Sequence, residues 1–298
     1  MSTLPPYLSD TDLDDLIARA LREDVGSGDV TTAATVPAGA TAQATLQAKA
    51  PGTVAGLYVA ARIFRQSGSD VSPHWRVSDG DRVAPGAVVG TLRGPAAALL
   101  TAERLALNVM QRMSGIATAT HRMVEAARPH VPDILDTRKT APGLRALDKW
   151  AVRLGGGTNH RIGLHDLFLI KDNHIAAAGG VAEALDAAHA YRDAHSLNLG
   201  IELEVRTLDE LDAALAHGGA DILLLDNMTR VMSDGTVDVS MLQTAIDRVD
   251  GRCRTEASGN VTLDTVAPIA ATSVDAISSG ALTHSVTALD LSMELALA

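Results

Sequence analysis

Apolar residues fall at helical spacing near the start of the chain, where Leu13, Leu16, Ile17, Ala20 and Leu21 follow Ser9, a good N-cap. The period then changes. From Ala42 to Ala48 apolar and polar residues alternate, as on a half-buried strand, before a turn at Pro51-Gly52. Two further turn signals, Asp79-Gly80 and Pro85-Gly86, cut the next stretch into short strands. A long helical run follows from Leu99 to Arg128, with Leu105, Val109, Met113 and Ile116 spaced by four and three. It reads as the bridge into a second domain.

Past that helix the pattern becomes rhythmic. Short apolar segments recur, each running out into polar residues: DILDTRK (133–139), LFLIKDN (167–173), IELEV (201–205), DILLLDN (221–227), RTEASGN (254–260) and DAISSGA (275–281). Their starts lie 20 to 34 residues apart, the length of a strand, a helix and two loops, which is the βα unit of a parallel sheet. One connecting stretch, TLDELDAALAHGGAD, predicts a helix N-capped by Thr207 and ended by Gly218-Gly219. The polar residues stand at the C-terminal end of every segment. A parallel barrel gathers its chemistry on that rim, whereas an open doubly wound sheet brings fewer strand ends to one site. The expectation is a barrel.

Composition narrows the functional classes. The 298 residues carry a formal charge of -11 and very few aromatics, two Trp, three Tyr and two Phe. An acidic chain without stacking platforms is a poor partner for nucleic acid. Cys253 is the only cysteine, which excludes an intrachain disulfide and a zinc–thiolate cluster. No apolar run is long enough to span a bilayer, and the first residues lack a basic and apolar leader pattern, so the expectation is a cytoplasmic protein.

Against that acidic background, residues 138–171 hold seven basic residues and only two acidic ones, including three of the four lysines of the chain. Arg145, Lys149 and Arg153, spaced by four, are expected to form a solvated stripe on a helix. Arg138, Lys139, Arg161 and Lys171 sit on strand ends or after the glycine run Gly155–Gly157, and suit an anion with several carboxylates or phosphates. The glycines match neither the phosphate loop of nucleotide hydrolases nor the dinucleotide fingerprint, and read as a flexible connector or another kind of anion loop. Ser258 and Gly259 in EASGN, and Gly280 in SSGAL, are candidate phosphate-binding loops after the last two strands. Glu202 and Glu204 share a strand face, and with Asp226 they could hold Mg²⁺ through substrate phosphates or stabilise positive charge on a sugar. His160, His165 and His174 do not form a metal-binding pattern, and His160 beside Arg161 reads better as an anion donor.

Taken in order, EDVGSGDVTT, ERLALNVMQRMSGIAT, DTRKTAPGLRALDKWAV, GGGTNHRIGLHDLFLIKDNHI, LLLDNM, EASGNV and SSGALTHS resemble the quinolinate phosphoribosyltransferases, from about Asp24 to His284. The resemblance implies an α/β fold: an N-terminal α/β open sandwich in residues 1–115, to which residues 285–298 return, and an incomplete six- or seven-stranded α/β barrel in 116–284. It implies transfer of phosphoribose from phosphoribosyl pyrophosphate to quinolinate with decarboxylation, Mg²⁺ as cofactor, and a homodimer. Arg104 would reach the pocket of the neighbouring subunit. Arg138, His160 and Arg161 would bind the quinolinate carboxylates, with Lys139 and Lys171 adding charge. Glu204, preferred over Glu202, and Asp226 would face the ribose and its magnesium, and Lys139, Ser258, Gly259, Gly280 and His284 would bind the phosphoribosyl group and its phosphate.

Three other readings remain in view. A relative acting on nicotinate or another anion would share most of these motifs. A Schiff-base lyase would use Lys171 as nucleophile. The hairpins of the front region resemble those of biotinyl and lipoyl carrier domains, but lack the exposed lysine such a domain modifies.

Overall fold

The computed structural model describes residues 3–68 and 70–297. Its contacts divide it into two units. One takes the chain up to His121, Ala146–Gly156 and the segment from Val286 onward; the other takes Arg122–Arg145 and Gly157–Ser285. Helix Arg145–Leu154 thus goes almost whole with the first unit, an excursion absent from the expected division.

In the first unit, helix Asp10–Val25 opens with a capping box in which the Ser9 hydroxyl accepts from the Asp12 amide (3.1 Å). Leu13 and Ile17 are buried beneath it. Arg62, on helix Leu57–Ser67, clasps Asp10 and Asp14. Strand Thr41–Ala48 lies within a four-stranded antiparallel sheet, flanked by Leu291–Leu297 on one side and by Val88–Pro95, then Ser72–Trp75, on the other. Ala42, Ala44, Leu46 and Ala48 face inward, as their alternation predicts.

The expected long helix forms as Ala96–Ala126; Met113 and Ile116 are buried with Leu99, Ala102, Ala106 and Met110, while Leu105 and Val109 are only half-buried. The solvated basic stripe holds at Arg153 and fails at its centre. Lys149 is wholly buried, as is Asp148, which Arg112 holds through two bonds of 2.8 Å. Apolar Leu147, Trp150, Ala151 and Val152 draw both sides of this helix into the core, and the charged residues between them go with it.

The second unit is built on six parallel strands among the described residues: β1 (Asp133–Leu135), β2 (Phe168–Ile170), β3 (Ile201–Val205), β4 (Ile222–Asp226), β5 (Arg254–Ser258) and β6 (Ala276–Ser278). They pair in the order β1-β6-β5-β4-β3-β2. This is the circular order of a barrel left open between β1 and β2. On the free edge of β1, Thr158 makes a single parallel bridge to Leu135, a one-residue start on a seventh strand. The helix between β3 and β4, Leu208–His217, is capped by Thr207 and closed by left-handed Gly218 (φ +77°), as its sequence predicts. No helix among the described residues is long and apolar enough to cross a membrane.

The triple glycine is not a slack connector. A Cβ on Gly155 would lie 2.4 Å from the carbonyl oxygen of Ala117 and 2.7 Å from Thr120 Cβ, and Gly156 turns the chain at φ +91°. A backbone carbonyl cannot swing aside as a side chain can. Gly155→Ala is therefore expected to destabilise the protein by about 1–3 kcal/mol through overpacking, read by urea unfolding. Unchanged stability would restore the connector reading.

Candidate active site

Each barrel strand delivers polar groups at its C-terminal end to one cavity of about 720 Å³. Arg138 and Lys139 follow β1, Lys171 follows β2, Glu204 and Asp226 close β3 and β4, and Ser258 ends β5. Gly280 and His284 come from the turn after β6. All the expected site residues in this unit border the cavity. Arg104 is the exception: it belongs to the other unit, exposed on helix Ala96–Ala126.

One wall is cationic. Arg161 is half-buried with Arg138 close by; burial first, and then Arg138, loosens its hold on its proton, while Glu202 and Asp166 tighten it. The buried Nε of Arg138 has no hydrogen-bond partner. Two partly dehydrated guanidiniums that repel one another with donors unspent form an arrangement that an anion would relieve.

The loop that carries Arg161 is tied from below. Asp136, fully buried after β1, accepts the His160 amide (3.0 Å) and the Asn159 side-chain amide. Asp166 accepts the Ile162 and Gly163 amides (2.7 and 2.9 Å); burial opposes its charge, but these bonds and His165 keep its carboxyl below the usual range. His160 Nδ1 accepts the Arg161 amide at 2.7 Å. Its Nε2 lies 3.0 Å from Glu202 Oε2 and 3.5 Å from Glu256 Oε2.

A second part of the lining is acidic and paired. Lys171 Nζ contacts Glu204 Oε2. Arg206, just past β3, spans three carboxylates: Asp172 (2.7 Å), Glu204 (3.3 Å) and Asp226 (3.5 Å). Glu202 and Glu204 share a face of β3 at different depths: Glu204 borders the cavity, and Glu202 lies below, against His160, which itself borders the cavity. At the far end, Gly259 is left-handed (φ +96°), and a Cβ there would fall 2.2 Å from Asn227 Oδ1. At Gly280 a Cβ would meet the Lys139 side chain at 2.8 Å and His284 at 2.9 Å. Both glycines let neighbouring groups close in around a small pocket.

Residues 29–114 match the family model described as quinolinate phosphoribosyl transferase, N-terminal domain, and residues 116–294 match its C-terminal domain. The chain belongs to the quinolinate phosphoribosyltransferase family. It is 49% identical to "Quinolinate phosphoribosyltransferase [decarboxylating] 1" of Nicotiana glauca, over 98% of this chain and 84% of that one. Identity with the Mycobacterium leprae "Nicotinate-nucleotide pyrophosphorylase [carboxylating]" is 45%, covering 97% of this chain and 100% of the relative. Among solved structures, NadC from Streptococcus pyogenes matches with a TM-score of 0.90 and 40% identity, over 99% of this chain and 100% of that one.

Within this quinolinate phosphoribosyltransferase fold, three site residues escape the sequence reading. Asp136 looks like a strand residue, Arg206 like the start of the next helix, and Glu256 like a core position of β5. Glu256 stands two residues before Ser258, on the same strand face, and that spacing was the available signal. Burial, and after it the charge of Glu202, pushes the Glu256 carboxyl from 4.5 up to about 7, against His160 and a bond from Ser278.

The folded protein therefore holds this proton more tightly than the unfolded chain. Stability from it is complete below about pH 4.5 and is lost as pH rises through about 7. Glu256→Gln removes the titration. Its stability relative to the parent is expected to rise with pH across that window, by up to about 3 kcal/mol, in urea unfolding at several pH values. A pH-independent difference would mean the carboxyl is not held protonated.

Proposed function

We infer that this chain transfers the phosphoribosyl group of phosphoribosyl pyrophosphate to quinolinate, releasing pyrophosphate and CO2 and yielding nicotinate mononucleotide. The observation that carries the reading is the division of one cavity into a cationic wall, Arg138 and Arg161, and a carboxylate wall, Glu204 and Asp226. A pyridine dicarboxylate matches the first wall. A sugar that gains positive charge as pyrophosphate leaves matches the second.

Arg138 and Arg161 bind the two carboxylates of quinolinate and aim its ring nitrogen at C1 of the ribose, with Lys139 and Lys171 adding positive charge. Ser258, Gly259, Gly280 and His284 hold the 5-phosphate. Glu204 and Asp226 stabilise the electron-poor sugar while the C1–O bond to pyrophosphate breaks and the N–C1 bond forms. The positive charge of the quaternary nitrogen then stabilises the electron pair left on the adjacent ring carbon as its C–CO2 bond breaks; CO2 departs, and a proton from water fills that carbon, in a site dominated by positioning and fixed charge.

The hard oxygen donors of Glu204 and Asp226 suit Mg²⁺, which takes one or two carboxylates and completes its shell with water and substrate phosphates. When bound, Mg²⁺ supplies charge neutralisation for the pyrophosphate. The ion pair of Lys171 with Glu204 favours a charge-pairing role for Lys171 over that of a Schiff-base nucleophile.

The direct test is CO2 release from quinolinate in the presence of phosphoribosyl pyrophosphate and Mg²⁺. Turnover of nicotinate but not quinolinate would overturn the reading. Arg138→Ala is expected to weaken quinolinate binding by about 10- to 100-fold, the worth of a bond to a charged group. Undiminished affinity would remove Arg138 from the carboxylate site.

The reading includes a homodimer in which exposed Arg104 completes the neighbour's site. Mixing Arg104→Ala and Lys171→Ala subunits should then restore roughly a quarter of the parental activity, because half of random dimers carry one intact site. No recovery on mixing would confine each site to its own subunit.

A further inference from the structure

His160 borders the cavity, yet both its ring nitrogens face protein atoms. Nδ1 accepts the Arg161 amide at 2.7 Å, and an amide N–H can only donate, so Nδ1 carries no proton. The proton of the ring therefore sits on Nε2. That atom faces Glu202 Oε2 at 3.0 Å and Glu256 Oε2 at 3.5 Å, both in the barrel interior, with Glu202 0% and Glu256 2% exposed. Neither Glu202 oxygen receives a well-aligned hydrogen bond, and neither does Glu256 Oε1.

Three donors this close invite a metal-site reading, since the ligand atoms lie within 4.8 Å of one another. The tautomer argues against it. A nitrogen that carries the ring proton has no lone pair for a metal, and freeing Nε2 would break the bond to Arg161.

We propose that His160 is a positioning residue rather than a ligand for the substrate carboxylates: it pins the main chain of Arg161 through Nδ1, and the charge of the buried Glu202–Glu256 pair, close to Nε2, holds the ring in that orientation. Asp136 fixes the same segment one bond upstream through the His160 amide, so the ring and the backbone are both anchored. The guanidinium of Arg161 then starts from a main chain with little freedom, which is what a directional carboxylate clamp requires. Glu202 also places negative charge beneath Arg161. The role rests on quinolinate being the ligand of the cationic wall, but the geometry of the ring does not.

Nitrogen-15 NMR of the full-length protein labelled at histidine tests this, with the His160 signals identified by their loss in His160→Asn. The expected spectrum shows an unprotonated Nδ1 and a protonated Nε2, unchanged by saturating quinolinate. A proton on Nδ1, with or without quinolinate, would overturn the proposal. Calorimetry with quinolinate adds a second arm, each variant being checked for parental melting behaviour. In His160→Asn the amide oxygen stands where Nδ1 stands, whereas His160→Gln carries its polar group where Nε2 stands. Asparagine is expected to keep affinity within about threefold and glutamine to lose about tenfold, the worth of one well-placed hydrogen bond. The reverse order would make His160 a direct ligand. Parent protein that ignores quinolinate would sink the reading of function, while the nitrogen spectrum alone still decides the role of His160.

Discussion

Two guanidiniums, Arg138 and Arg161, share a partly dehydrated wall without enough anion around them. Much of the second unit exists to hold them there. Like charges in a setting poorer than water in dielectric screening repel strongly, so such a pair persists only if the chain around it is over-determined. Asp136 and Asp166 supply that determination by gripping four donors of the segment between Asn159 and Gly163. Neither aspartate touches the cavity surface. Both act by fixing the backbone from which Arg161 projects.

The acids are layered by the period of a strand. Successive inward positions on β3 put Glu204 at the cavity, against Lys171 and Arg206, and Glu202 beneath it, against His160. The upper layer is paired with cations and reachable by substrate, so its charge is available to chemistry. In the lower layer burial first, and then the charge of Glu202, raises the Glu256 carboxyl, against the pull of His160. One strand thereby serves both catalysis and support.

The barrel was legible because its strands are short apolar runs that end in polar residues at nearly regular intervals, and the rim residues were legible for the same reason. What stayed hidden was whatever depends on contacts between distant segments. Leu105 and Val109 mark the helix but stay half-buried, while Met113 and Ile116 of the same pattern reach the core. Lys149 looks solvated until the apolar residues on both sides of it prove buried. Gly155 reads as slack, although it is the point where two backbones nearly touch. Arg206 carries no motif, and its three carboxylate partners come from three different strand ends. The wider likeness of seven ordered motifs anticipated the family, yet nothing in it set the depth of Glu202 or the tautomer of His160.

If the crowded cations are the strain that quinolinate relieves, the free-energy gain from binding must depend on the number of carboxylates and on salt. Thermal unfolding in the presence of matched concentrations of quinolinate and nicotinate, at low and high ionic strength, measures this directly. The dianion should raise the melting temperature well above the effect of the monoanion, and added salt should shrink the difference. Equal stabilisation by the two acids, or a difference indifferent to salt, would contradict the claim that paired guanidiniums define the site.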